Sequence, residues 1–389
     1  MASNQTFKAV YFPDYKESNL KTKRFILAFG ERHKHLYKNI AKLGSNELRS
    51  LLGTDSYCEL EQRAQQEGLQ VNTYCLWYLH KNFNAKRIEN EGDIQKYREL
   101  PLNKIILGDA LIELKKIPRE SSDIIIVDPP YNIGKDFGNN IDRRGLNEYI
   151  EWSKEWMCEV IRILKPTGTL FIYGFSEILA HLSVEIQIHK RWLIWHYTNK
   201  NVASLNFWQR SHEAIICAWK DTPIFNRDEV REPYTEGFLN GAAGKVRRGT
   251  LGRFSKEGRE TVYKAHEGGA LPRDVLKVPA LAGGAGMVER WFFCKTCDDI
   301  FEPQKLKEHL QHEIIKHPTQ KPQELTRKLI RSAMPKEDGV VLIPFVGSGS
   351  ECVAAKELGL SYLGFELNPD YIAIAEKWLE TTTYIPRLF

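Results

Sequence analysis

Asp128, Pro129, Pro130 and Tyr131 directly follow an apolar run of Ile124, Ile125, Ile126 and Val127. Four consecutive β-branched residues read as a buried strand, and the chain turns at its end. The two prolines fix φ and remove backbone donors, which leaves carbonyls there as outward acceptors. A carboxylate and a free carbonyl can accept both hydrogens of an exocyclic NH2, and an aromatic ring can stack on the heterocycle that carries it. Those are the requirements for alkylating the amino group of a nucleobase. A proline-rich turn alone would account for Pro129 and Pro130, but not for the acid and the ring that flank them.

A second group lies near the other end of the chain. Pro344, Phe345, Val346, Gly347, Ser348 and Gly349 follow the apolar stretch 340–343 and open a helix. Glycine lets a backbone approach a ligand closely, and a helix start offers free N–H groups. No Lys-Ser or Lys-Thr pair follows these glycines, so a phosphate-binding P-loop is disfavoured. Glu366 stands about twenty residues further on, at the end of the next apolar run, where an acid in a doubly wound sheet binds ribose hydroxyls. His317, Pro318, Thr319, Gln320, Lys321 and Pro322 run into a helix between these groups; taken alone, they read as a helix N-terminus with proline in its first turn.

The elements that must hold these residues alternate. Strands are expected at 104–107, 124–127, 169–173, 192–196, 214–219, 340–343 and 362–365. Helical spacing runs through Tyr149, Ile150, Trp156, Val160, Ile161 and Leu164, and the segment 165–168 ends that helix. Further helices are expected at about 322–333, 350–358 and 369–380. Alternating strands and helices give an α/β fold with a doubly wound, mostly parallel sheet covered on both faces. Residues 222–316 break this alternation and read as a loop-rich insertion. Within it, residues 245–264 carry seven basic residues against two acids, among them Lys245, Arg247, Arg248 and Arg253. Residues 1–100 read as a polar, mostly helical extension of unassigned role, with a capping box at Ser56 and Glu59 and a helix stop at Gly68.

With these motifs in this order, the chain resembles the amino-group DNA methyltransferases of the β arrangement, typical of bacterial restriction–modification systems. The resemblance covers about residues 103–380 and rests on three separate motifs: Asp128 to Tyr131 first, the His317 to Pro322 segment and the 345–349 glycine loop last. It implies a Rossmann-like methyltransferase domain in two halves, 101–221 and 317–389, around a target-recognition insertion at 222–316. It implies S-adenosylmethionine as cofactor, with its adenosine part on Asp109 and Glu366 and its methionine carboxylate on Lys321. The loop of Phe345, Gly347, Ser348 and Gly349 would hold it by its backbone, with Asp128 at the reacting end. Asp128 and the Pro129 carbonyl would hold the target NH2 and Tyr131 would stack on the flipped-out base. N6 of adenine is the expected target, because residue 128 is Asp rather than Ser, with N4 of cytosine second.

Two features depart from the family. Ile343 occupies the position where an Asp usually precedes Pro-Phe, so either Glu351 substitutes for it or the cofactor binds less tightly. Extra residues also separate Glu289 and Arg290 from His317, and they hold Cys294, Cys297, His309 and His312. Cys-x2-Cys matches half of a zinc finger, and histidines three apart share a helix face. Eleven residues separate Cys297 from His309, one short of the usual finger spacing, and His317 is an alternative fourth ligand. Such a zinc would be structural and would shape the recognition region.

Composition narrows the reading. Apolar content of 42% and charged content of 27% are those of a soluble globular chain. A net charge of +5 means that any basic surface is local. The seven cysteines form no disulfide framework, and neither a leader peptide nor a membrane-length apolar run is present, so a cytoplasmic protein is expected. The expected partner is double-stranded DNA, with a cognate restriction endonuclease and a homodimer left open. A catalytically silent DNA-binding subunit is the competing reading, favoured by Ile343 alone.

Overall fold

The computed structural model describes residues 54–67, 71, 97, 99–132, 144–199, 205–241, 243–248, 260–262, 264–282 and 289–384. The chain divides into two compact units, residues 1–95 and 96–389. In the first, α1 (Thr54–Glu67) buries Leu60 and Ala64. It begins two residues ahead of Ser56, which therefore lies inside the helix and not at its cap; it ends where Gly68 follows.

The second unit is built on an eight-stranded sheet. Its strands are β1 (Lys104–Leu107), β2 (Ser122–Val127), β3 (Leu164–Gly174), β4 (His189–His196), β5 (His212–Trp219), β8 (Val275–Lys277), β12 (Val340–Ile343) and β13 (Ser361–Glu366). Two short strands, β6 (Val246–Arg248) and β7 (Glu260–Val262), pair separately. The sheet order is β1-β13-β12-β2-β3-β5-β4-β8, parallel from β1 through β3, with β5 antiparallel to both β3 and β4. β8, drawn from the loop-rich insertion, adds a parallel edge beside β4.

Helices α2 (Ala110–Lys116), α3 (Leu146–Ile163), α4 (Ser176–Glu185), α6 (Gln323–Ala333), α7 (Ser350–Glu357) and α8 (Pro369–Thr381) complete the unit, with a short α5 (Glu236–Gly241) in the insertion. β2 shows why the sheet is covered twice. Ile124 and Ile126 join one core with Leu325 and Val353, while Ile125 and Val127 join the other with Trp156 and Leu342. All four side chains are fully buried, which is worth roughly 1.5–3 kcal/mol each.

The segment after α3 departs from expectation, because β3 begins at once at Leu164 instead of after a turn. Its pairing with β2 skips from Leu164 to Thr169, and Pro166 sits in that gap. Proline there costs the ladder no hydrogen bond. Among the described residues no helix is long and apolar enough to cross a membrane.

The sheet has one topological switch point. From β12 the chain passes to β13 on one side, and from β2 it passes to β3 on the other. Ligands of open α/β sheets bind beyond the carboxyl ends of such a pair of strands. The 344–349 turn follows β12 there, and Asp128 follows β2.

Candidate active site

A cavity runs along this edge, lined from Gly108, Asp109 and Glu366 at one end to Asp128, Pro129, Pro130 and Tyr131 at the other. Phe345, Gly347, Ser348, Glu351, His317 and Tyr371 also face it. Most of the residues singled out in the sequence are thus gathered from five chain segments by the ends of β1, β2, β12 and β13.

The Asp109 and Glu366 end is tied to backbone. Asp109 caps α2, its carboxylate accepting from the Leu111 N–H at 2.9 Å. Glu366 accepts from the N–H groups of Gly347 at 2.8 Å and Asn368 at 2.9 Å. Burial holds the Glu366 carboxyl above its ordinary value, against the pull of those N–H groups. Gly347 and Gly349 have φ of 54° and 90°, the left-handed region that disfavours a side chain. A Cβ on Gly347 would stand 2.8 Å from His317 Nε2, and one on Gly349 would stand 2.5 Å from the Ala375 Cβ. The turn therefore needs both glycines. Phe345 packs against Trp152 and Trp156, with ring centroids at 5.8 and 6.0 Å.

At the other end, ionisable groups touch each other. Asp128 accepts from the Tyr131 hydroxyl at 2.7 Å with one oxygen and from Lys321 Nζ at 2.7 Å with the other. Tyr131 also approaches Glu213 at 3.2 Å, Glu213 accepts from the Tyr197 hydroxyl at 2.5 Å, and Lys321 lies 3.8 Å from Glu213. Burial works against the Lys321 charge, yet Asp128 and Glu213 beside it keep its ammonium above the usual lysine value. Burial first, and then Asp128, push the Tyr131 hydroxyl far up, so it remains a donor. Tyr131 is only 9% exposed and packs edge-on to Phe175. The Pro130 carbonyl accepts from the Tyr149 hydroxyl at 2.7 Å.

Two expectations shift here. Lys321 bonds Asp128 and does not line the cavity, nor does Gly349, whose part is to shape the turn. Ile343, at the position of the family's usual acid, is buried in the apolar core. Glu351, the second residue of α7, faces the cavity instead; its Oε2 accepts from Ser350 Oγ at 2.7 Å and its buried Oε1 has no hydrogen-bond partner. Burial, and then the nearby Asp128, raise its carboxyl to about 7.

Glu213 is the residue that sequence reasoning missed. Its signal was an acid leading the apolar strand His212–Trp219, and only the antiparallel run of β5 shows that this start lies beside Asp128. In the basic stretch, Lys245 is exposed, Arg247 and Arg248 lie on β6, and Arg253 falls outside the described residues.

Cys294, Cys297, His309 and His312 also come together, with one ligand atom from each lying within 4.8 Å of all the others. His309 ends a 3-10 helix (Pro303–His309) and His312 lies beyond it, so the pair is not on one α-helical face. His317 packs on Tyr371 at 4.6 Å and is not part of the cluster.

An apolar aromatic wall, a turn held open by two glycines, an acid at a strand end and an unpartnered buried carboxyl oxygen suit a nucleoside joined to an amino acid. The comparisons agree with that chemistry. The DNA methylase family (N6_N4_Mtase) matches residues 122–377. The chain is 28% identical over 289 residues to the type II methyltransferase M.HpaI of Haemophilus parainfluenzae, spanning 72% of this chain and 74% of that one. It is 30% identical over 285 residues to the DNA adenine methyltransferase YhdJ of Escherichia coli (strain K12), spanning 72% and 83%. Among solved structures, the cytosine-N4-specific PvuII DNA methyltransferase aligns over 71% of this chain and 85% of that one, at 15% identity and a TM-score of 0.48. This chain belongs to the amino-group DNA methyltransferases of the β arrangement, the S-adenosylmethionine-dependent enzymes of restriction–modification type.

Proposed function

We propose that the chain methylates N6 of adenine in double-stranded DNA. The observation that carries this reading is one cavity with Glu366 and the glycine turn at one end and Asp128 and Pro129 at the other. Adenine is favoured over cytosine by Asp at position 128 and by the similarity to YhdJ, named as an adenine enzyme.

S-adenosylmethionine, when bound, supplies the sulfonium methyl. Glu366, with Asp109 beside it, accepts the ribose hydroxyls, and Phe345 lies against the adenine. The turn of Gly347 and Ser348 lets backbone approach the cofactor. Glu351 takes the part of the family's missing acid: its free Oε1 accepts from the methionine ammonium, and that positive charge draws the carboxyl toward ionisation. Lys321 orients Asp128 rather than binding the methionine carboxylate.

At the target, Asp128 and the Pro129 carbonyl accept from the two amino hydrogens. A purine amino lone pair is delocalised into the ring, and these bonds would localise it on the nitrogen, aimed at the methyl that bound S-adenosylmethionine would give up, becoming a thioether. The nitrogen then loses one proton, for which Asp128 is the nearest acceptor. Because Tyr131 and Lys321 occupy Asp128 in this structure, the amino group displaces the Tyr131 hydroxyl, which keeps Glu213 as a partner. That shift opens the Tyr131 ring to stack on a base held outside the duplex, at a few kcal/mol of unstacking.

Residues 222–316 supply target recognition, with Lys245, Arg247, Arg248 and Arg253 on phosphates. Residues 101–221 and 317–389 form the two halves of the catalytic domain, residues 1–100 stand outside this assignment, and a cognate endonuclease is the partner to seek. Incubation with DNA and methyl-labelled S-adenosylmethionine tests the reading. Label should enter DNA with the native chain and not with Asp128→Ala. DNA binding without label transfer would establish a silent DNA-binding subunit instead.

A further inference from the structure

The zinc-finger-like cluster stands apart from the active site, and its geometry is specific. Cys294 Sγ and Cys297 Sγ each lie 3.3 Å from His312 Nδ1, His309 Nδ1 lies 3.3 Å from His312 Nδ1, and Cys297 Sγ lies 3.7 Å from His309 Nδ1. Tetrahedral zinc with bonds of about 2.3 Å to sulfur and about 2.0–2.1 Å to nitrogen sets ligand separations of about 3.4–3.8 Å. These four of the six edges match that tetrahedron within a few tenths of an ångström, and all six lie within 4.8 Å. Hydrogen bonding cannot replace the metal, because one ring nitrogen offers one donor or one acceptor and His312 Nδ1 faces three partners at once. The surroundings also fit. The Cys297 N–H points to Cys294 Sγ at 3.4 Å, and Phe301 stacks on the His309 ring at 4.0 Å, which fixes its orientation. Asp298 adopts φ of 52° to close the turn between the cysteines and β10 (Asp299–Phe301).

The small sheet around this cluster has two faces with different tasks. Its central strand β9 (Phe292–Cys294) pairs with β10 and with β11 (Ile314–Lys316). Phe292 and Cys294 turn inward to Phe301, Leu306 and Ile314. Phe293, on the other face, packs on Tyr371 and Ile374 of α8. Trp291 adds a contact to Trp378, and Lys295 and Asp298 pair with Asp370 and Lys377 of the same helix at 3.1 and 3.3 Å. Tyr371 lines the cofactor cavity, as does His317, the residue that follows β11 and rests on the Tyr371 ring.

We propose that Cys294, Cys297, His309 and His312 bind one structural zinc ion, and that this zinc braces the α8 and His317 wall of the S-adenosylmethionine cavity. The expectation that it shapes DNA recognition is thereby revised, since the module docks on α8. So small a sheet buries too little apolar surface to hold its shape alone, and metal binding supplies that free energy.

Full-length protein purified without chelators should contain about one zinc per chain by elemental analysis. Removing it with a chelator should weaken S-adenosylmethionine binding about tenfold and change DNA affinity less than about twofold, and added zinc should restore both. Cys297→Ser should fail to hold zinc, whereas His312→Cys, which keeps four ligands, should retain it and bind cofactor natively. A metal-free chain that gains no zinc when it is added, or iron in its place, would overturn the site. Stripped protein with native cofactor affinity, or one that loses DNA affinity instead, would overturn the bracing role.

Discussion

The two ends of the cavity are built in opposite ways. Around β1, β12 and β13, acids stand apart and are tied to backbone: Asp109 to Leu111, Glu366 to Gly347 and Asn368. Around β2, β3 and β5, side chains hold side chains: Tyr131 and Lys321 each contact both Asp128 and Glu213. The first arrangement is a rigid cradle whose shape follows from glycine and strand ends. The second is a set of mutually dependent charges, so disturbing one member disturbs all of them. Cofactor binding should therefore be separable from chemistry, and the target end should be the fragile one.

The largest effect is expected at Lys321, the ammonium nearest Asp128, Glu213 and Glu351. Lys321→Met should cost roughly 3–5 kcal/mol of stability, the usual consequence of removing one partner of a buried ion pair. Urea denaturation measures it, and a loss below about 1 kcal/mol would mean that the network is not a unit. Asp128→Ala comes next: methyl transfer should fall roughly 10²-fold or more while cofactor affinity stays within about threefold. Equal losses in both, by single-turnover kinetics and equilibrium dialysis, would deny that the ends are separable.

Glu351 lies at the border, and its effect depends on pH. Between about 4.5 and about 7 the folded chain without cofactor keeps a proton on this carboxyl that the unfolded chain has released. Its contribution to stability is thus full at low pH, falls as pH rises through that window and is level above it, by at most roughly 3 kcal/mol. Glu351→Gln should remove this fall, so the difference between the two proteins in unfolding free energy should change between pH 5 and 8. A constant difference would show that the carboxyl ionises freely. The smallest effect is expected outside both ends. Arg247→Ala with Arg248→Ala should weaken binding to all DNA sequences and lower the salt dependence by about one unit per lost phosphate contact. An unchanged slope would leave residues 245–264 as a solvated loop.

The contrast between the ends also decides what can be read from the sequence. Glycines at 347 and 349, the acid at 366 and the strand before Asp128 announce themselves locally, because backbone geometry and strand ends are local properties. The strands at 104–107 and 340–343 fall where alternation places them. The partnership of Lys321 with Asp128 spans 193 residues and emerges only when β12 inserts beside β2. Glu213 was hidden for the same reason, since the direction of β5 decides which of its ends meets the site. The grouping of Cys294, Cys297, His309 and His312 was legible from spacing, but the docking of their small sheet on α8 was not, because it depends on the outer face of β9.

Identification of the methylated nucleoside tests the central claim most directly. DNA treated with the native chain and S-adenosylmethionine should yield N6-methyladenine on digestion and mass analysis. N4-methylcytosine as the sole product, or no modified base, would contradict it.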